Sequence, residues 1–172
     1  MNIYLTSGTP EFMESLRKKY SNEKMIVLHG SGNSMLLHET EGKSVFQTPR
    51  SYEVIDSINE LEDKGFFVMN HLPVSDEGRP LFEHRFLSRS HVIESDPGFK
   101  AYRLLKPINS ETYIVLTEWS GPTSFEAWKV SKAYKDAFEN QVAAVGIENR
   151  NIFTSKAYVT AYTTAKNEET ED

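Results

Sequence analysis

Phe66-Phe67-Val68-Met69-Asn70-His71-Leu72-Pro73-Val74 is an apolar run closed by turn-forming residues, Asp63-Lys64-Gly65 before it and Ser75-Asp76-Glu77-Gly78 after it. Such a run reads as a strand. Downstream, Pro80 introduces a helix to about His91, with Phe82, Phe86 and Ser90 on one face, and Pro97-Gly98 ends that connection. Phe99–Lys106 and Glu111–Ser120 read as strands joined by a hairpin at Pro107-Ile108-Asn109-Ser110. Thr123-x-x-Glu126 has the form of a capping box at the start of a further helix, and Ser131 can cap a restart over Lys132–Asn140. In Lys156–Thr164, Tyr158, Thr160 and Tyr162 alternate with Val159 and Ala161, as in a closing strand. The order is β-α-β-β-α-β, the split arrangement of a ferredoxin-like α+β domain.

Upstream lies a block of similar order. Asn2–Thr6 alternates as a short strand, and Thr9-Pro10 supplies an N-cap and first-turn proline for a helix to about Tyr20 with Phe12, Leu16 and Tyr20 at helical spacing. Met25–His29 and Ser34–Glu39 flank the hairpin signal Gly30-Ser31-Gly32-Asn33. Pro49 is expected to open a second helix through Tyr52, Ile55 and Ile58, and the block then matches the downstream order if the Phe66–Val74 strand is shared. The expected organisation is an N-terminal α+β half over 1–63, a ferredoxin-like domain over 64–165 and a frayed acidic tail over 166–172. The N-terminal half is expected to complete a barrel-like sheet.

Composition narrows the chemistry. The 172 residues suit one large domain or two small ones packed together, with the hydrophobic content of a globular protein. The formal net charge is -6 with basic residues scattered singly, which argues against nucleic acid as a partner. There is no cysteine, so disulfides, thiolate metal sites and a cysteine nucleophile are excluded. The start of the chain lacks the basic and apolar regions of a secretory signal, and no apolar run reaches the ~18 residues of a membrane span. A cytoplasmic location without membrane association is expected.

Gly30-Ser31-Gly32-Asn33 lacks the spacing of a nucleotide loop, and no Gly-x-Ser-x-Gly elbow occurs. Of the five histidines, none forms an HExxH pair. His84 and His91 lie about 10 Å apart along one expected helix, too far for a shared metal ion. Asn70 stands out as an amide inside an apolar strand, where asparagine is disfavoured and an unpartnered buried amide costs about 1–3 kcal/mol. It either caps a neighbouring loop from an edge position or lines a cavity above the sheet. His71 points to the opposite face. Trp128, three residues after Phe125, reads as helix packing into a core. On an unbroken helix Phe138 lies about 80° from it, on an adjoining face.

The stretch from Phe66 to Tyr162 resembles the Isd-type haem-degrading monooxygenases of the antibiotic-biosynthesis monooxygenase superfamily. The resemblance rests on Phe67-Val68-Met69-Asn70-His71-Leu72, on the turn Asp96-Pro97-Gly98-Phe99, and on Leu116-Thr117-Glu118-Trp119 leading to Ser124-Phe125-Glu126-Ala127-Trp128-Lys129 and Ser131. With Tyr4-Leu5-Thr6-Ser7-Gly8-Thr9 and His38-Glu39-Thr40-Glu41-Gly42 added, the chain looks like the longer two-block branch. That branch contains a haem-degrading monooxygenase and proteins described as target of RNAIII-activating protein.

The resemblance implies oxygen-dependent haem degradation, with haem as cofactor and substrate and an external electron donor, such as a reductase. It makes Asn70 the distal-side amide and Trp128 the residue that presses on the porphyrin. An axial histidine is expected ten residues after the tryptophan, and that position is Phe138, with no histidine anywhere after His91. His84 is then the substitute ligand by helix placement. The alternatives are a non-catalytic haem-binding or signalling-associated protein of the same fold, and a metal-free monooxygenase-like domain acting on a small aromatic substrate. The two-block organisation favours a monomer over a weak homodimer.

Overall fold

Residues 66–73 do form a strand, and its alternation sorts the whole molecule into an inside and an outside. The structure is a computed structural model that describes residues 1–87, 93–94, 96–132 and 153–164. Its elements are β1 (Asn2–Gly8), α1 (Pro10–Lys19), β2 (Lys24–His29), β3 (Ser34–Thr40), β4 (Arg50–Ile58), β5 (Phe66–Pro73), α2 (Arg79–Leu87), β6 (Phe99–Ile108), β7 (Thr112–Trp119), α3 (Pro122–Lys129) and β8 (Tyr158–Thr163). The strands close into one antiparallel barrel in the order β1-β3-β2-β8-β5-β7-β6-β4. Each half of that order has its fourth strand beside its first, then its third, then its second. The ferredoxin-like order therefore occurs twice.

Phe67 and Met69 of β5 point into the barrel with Leu116, Ile114, Leu105, Leu37 and Leu5. Val68 and Leu72 point outwards, into a second core with Tyr102, Leu104, Tyr113, Val115 and Trp119. Phe82 and Phe86 of α2 and Phe125 and Trp128 of α3 cover this outer core. A smaller cluster of Met13, Met25, Val27 and Leu36 lies outside the first half, beneath α1. The sheet is thus buried on both faces, which explains why its strands read as nearly continuous apolar runs.

Three local expectations are corrected. Pro49 opens no helix: Arg50–Ile58 is β4, the fourth strand of the first half, so β5 is not shared. The register of β4 against β6 slips between Val54 and Asp56. This bulge inserts a residue, so Tyr52 and Val54 pack inwards whereas Ile55 and Ile58 pack outwards. The resulting three-residue spacing imitates a helix. Second, α1 is capped by Thr9 as expected, but Phe12 is 57% exposed and Met13 is the residue it buries. Third, Thr123 caps nothing: Gly121 is the N-cap of α3 and Pro122 its first residue, which places Thr123 inside the first turn. The helix restart after Ser131, His91, Ser90 and the tail lie outside the described residues. No described helix is long and apolar enough to cross a membrane.

Candidate functional site

Asn70 lies at the centre of β5, opposite Val115 of β7 and Val159 of β8. By strand alternation its side chain shares the outer face with Val68 and Leu72. It is half-buried, Val115 beside it is buried, and Val159 on its other side is 55% exposed. Among the described residues its amide makes no hydrogen bond. The neighbouring His71 is inside the barrel, with Nε2 2.8 Å from Thr160 Oγ1 and its ring stacked on Tyr158 at 4.3 Å. Burial is the larger influence that lowers the His71 pKa to about 4, followed by the Arg50 charge, so the ring is neutral at pH 7.

Trp128 reaches the same outer face from α3. The turn before β6 sets that helix in place. Gly98 N–H donates to Asp96 Oδ1 at 3.0 Å, Ser120 N–H donates to the Gly98 carbonyl at 3.0 Å, and Ser124 sits where a Gly98 Cβ would be. Only glycine permits this approach. Trp128 is 4% exposed, and its ring lies 5.3 Å from that of Trp119, tilted by 38°. Trp119 also meets Phe125 at 5.7 Å and Phe99 at 5.9 Å, both edge-on, and donates Nε1–H to Thr117 Oγ1 at 2.9 Å. The helix then stops, with the Val130 and Ser131 N–H groups both directed at the Trp128 carbonyl.

The structure thus brings Asn70 and Trp128 onto one face. His84 lies on α2 and is exposed, on the side away from the buried Phe82 and Phe86. Phe138 lies outside the described residues. α2 is anchored to the sheet through Glu83, which accepts a hydrogen bond from the Tyr113 hydroxyl and pairs with Lys106 at 3.2 Å. Burial, reinforced by Glu83, raises the Tyr113 pKa, so the phenol stays protonated as a donor.

Haem can be weighed against this face. On this face Trp119, Trp128 and Phe125 are buried, and the open positions are the half-buried Asn70 amide and the exposed Val159 beside it. Among the described residues, no histidine points from it and no group of three His, Asp or Glu side chains is placed to hold a metal ion. The described residues of this face supply no iron ligand, and its aromatic side chains are packed into the outer core.

Sequence reasoning passed over a second polar group in an apolar strand. Glu118 of β7 is fully buried at the end of the barrel closed by the segment from Asn59 to Gly65. Its Oε1 accepts the Glu62 N–H at 2.8 Å, while Oε2 has no partner among the described residues and lies against Gly65. Burial pushes its pKa up to about 7 against the opposing Glu62 N–H bond. Nearby, Arg103 Nε donates to Glu39 Oε2 at 2.7 Å and Nη1 donates to the Asn59 carbonyl at 2.7 Å. The signal that singles out Asn70, a polar residue in an apolar run, would also have found Glu118 in Ile114-Val115-Leu116-Thr117-Glu118-Trp119.

Residues 65–140 match the family model described as antibiotic biosynthesis monooxygenase. A relative from Staphylococcus epidermidis named signal transduction protein TRAP is 30% identical over 138 residues, 80% of this chain and 83% of that protein. The protein of the same name from Staphylococcus aureus is 27% identical over 136 residues, 79% of this chain and 81% of its own. Among solved structures, one described as a major regulator of staphylococcal pathogenesis superposes with a TM-score of 0.86 at 23% identity, covering 96% of this chain and 100% of that one. A haem-degrading enzyme of Listeria monocytogenes superposes with a TM-score of 0.74 at 20% identity, covering 96% of this chain and 100% of that one. At these identities the superpositions show a shared fold.

Proposed function

This chain belongs to the family of the proteins named signal transduction protein TRAP, with a match to the antibiotic biosynthesis monooxygenase model over residues 65–140, and from that premise we propose that its outer face over β5 and α3 binds haem and serves its oxygen-dependent degradation. The observation that carries the reading is Asn70. An amide with no partner among the described residues, half-open in an otherwise apolar strand face, is difficult to explain by stability, because such a position favours an apolar residue. It is readily explained as a donor kept for a ligand.

Bound haem would supply the redox chemistry, with electrons from an external donor such as a reductase. The chain's own contribution is positional. Asn70 presents N–H groups to a ligand on the face, and the Trp128–Trp119–Phe125 cluster makes a wall that does not yield. Buried beneath α3, this cluster would keep the protein side from yielding to a bound haem, because displacing the indole would open a cavity in the outer core. Water is excluded on the protein side by Val68, Leu72 and Val115. The reading makes one firm demand. Phe138 cannot ligate iron, so the metal must be held by another group.

A second reading is favoured by that same position and by the name of the relatives: a signalling-associated protein that binds haem without turning it over. Titration of purified protein with haemin, followed by ascorbate in air, separates the two. A stoichiometric Soret shift followed by loss of the band supports degradation. A shifted band that stays supports the second reading. No shift overturns both. Replacing Phe138→His should tighten haemin binding if position 138 borders the face.

A further inference from the structure

Residues 59–65 cross one end of the barrel as a strap between β4 and β5. Leu61 of the strap is buried and packs with the inward-facing core, where it plugs the lumen. The strap is fixed at both ends. Asn59, at φ 62°, turns the chain out of β4, and its carbonyl accepts from Arg103 Nη1 at 2.7 Å. Gly65 is bonded to Thr164 through both its N–H and its carbonyl. Between these ends the outer ties are ion pairs. Lys24 Nζ meets Glu60 Oε1 at 2.9 Å, and Lys100 Nζ meets Glu62 Oε1 at 2.9 Å and donates to the Lys64 carbonyl at 2.6 Å. The Glu60 and Glu62 side chains stand largely in solvent, so these pairs hold the strap weakly.

The inner tie is the Glu62 N–H, which donates to Glu118 Oε1 at 2.8 Å. Glu118 is fully buried, and its Oε2 has no partner among the described residues. Oε2 lies so close to Gly65 that a Cβ there would collide with it. The charged groups around this carboxyl are Glu62 of the strap, Lys100 and Arg103 of β6, Lys24 of β2 and Glu39 of β3. Each of the three cations is engaged elsewhere: Lys24 by Glu60 and Glu39, Arg103 by Glu39, and Lys100 by Glu62. Phe67, opposite Glu118 on β5, is apolar. The site therefore suits a neutral carboxyl. A carboxylate there would have one hydrogen bond and no cation in contact, a costly way to bury a charge. Gly65 is fixed on Thr164, so the cover that can yield is residues 60–64.

We infer that this strap is a proton-operated latch: with Glu118 protonated it lies closed over Leu61, and ionisation of Glu118 lifts residues 60–64, lets water replace the Glu62 N–H and draws Leu61 out of the lumen. Burial holds the Glu118 pKa up to about 7, above the ordinary carboxylate value, so the latch loosens as pH rises towards 7 and is closed most firmly in acid.

Hydrogen exchange of the full chain tests this. The protection factor of the Glu62 amide, its intrinsic over its observed exchange rate, should fall by about tenfold or more between pH 5 and 7, while amides of β5 and β7 keep theirs. In Glu118→Gln it should stay level. A Glu62 value that is constant in the parent, that falls in step with β5 and β7, or that falls equally in Glu118→Gln overturns the latch. A second reading leaves Glu118 in place. The chain has no cysteine, so Leu61→Cys carries a lone thiol. Its labelling rate with methyl methanethiosulfonate, divided by that of a free cysteine peptide at the same pH to remove the thiolate fraction, should rise about tenfold or more over the same range. A flat ratio overturns the proposal.

Discussion

The two outer faces of the barrel share a strand order and differ in what covers them. The face over β5–β8 carries α2, α3 and a core built on Trp119, Trp128, Phe82, Phe86 and Phe125. The face over β1–β4 carries α1 and a few residues, with Val45 and Phe46 from the 41–49 connection packed at its side. The cause is the length of the second crossover. Between β3 and β4 nine residues, 41–49, suffice, whereas β7 and β8 are separated by residues 120–157, which include α3. The short crossover leaves the first face with only enough cover to be stable. The long one adds Phe125 and Trp128 of α3 to the cover that α2 already provides. Position in the fold does not make a site; the material laid over the sheet does.

The sharpest way to break this contrast is to cut into each wall. Trp128→Ala should cost about 3–5 kcal/mol in urea unfolding, since it empties a large volume beside Trp119. Met13→Ala, the equivalent cut under α1, should cost about 2–3 kcal/mol, the lower part of the range for a buried methionine. Equal losses would mean that the faces are built to the same strength.

The next effect is one of slope and concerns the lumen beneath both faces. Glu118 has a folded pKa of about 7, above its unfolded value, so its contribution to stability is fully present below about pH 4.5 and is lost as pH rises to about 7. His71 works the other way. Its folded pKa of about 4 lies below the unfolded value, so its contribution is present above about pH 6.5 and is lost as pH falls to about 4. Melting temperatures across pH 4–8 should therefore fall less steeply on the alkaline side in Glu118→Gln than in the parent. A parallel profile would show that Glu118 does not titrate in this window.

The smallest expected effect in stability is the most telling for function. Asn70→Leu should change stability by no more than about 0.5 kcal/mol, with either sign, because no hydrogen bond is lost. It should shift the spectrum of the haemin complex. A loss above about 1 kcal/mol would make the amide structural and remove the main support for the functional reading.

Much of this was legible in the sequence, for identifiable reasons. β2, β3, β5, β6 and β7 declared themselves because strands buried on both faces read as apolar runs between turn residues. β4 did not, because the bulge after Val54 moves its buried positions from a spacing of two to three. α3 was found but its cap was misplaced, since Gly121-Pro122 starts the helix as well as a hydroxyl would and leaves no side-chain signal. Asn70 was visible as a polar residue out of place. Trp128 was visible only as core, which is where the structure puts it. Glu118 carried the same signal as Asn70 and was passed over, whereas the Arg103–Glu39 pair was hidden because its partners lie 64 residues apart and meet only when the barrel closes.

The seven-residue segment 59–65, which seals the Glu118 end of the lumen, is also the covalent joint between the two halves. In a barrel made from two separate identical chains, association depends on concentration and symmetry repeats every site twice. A short joint replaces that equilibrium with an effective concentration in the millimolar range or above and removes the obligation to be symmetric. The two outer faces then need not match, and one can keep a thin cover while the other carries two helices and a larger core.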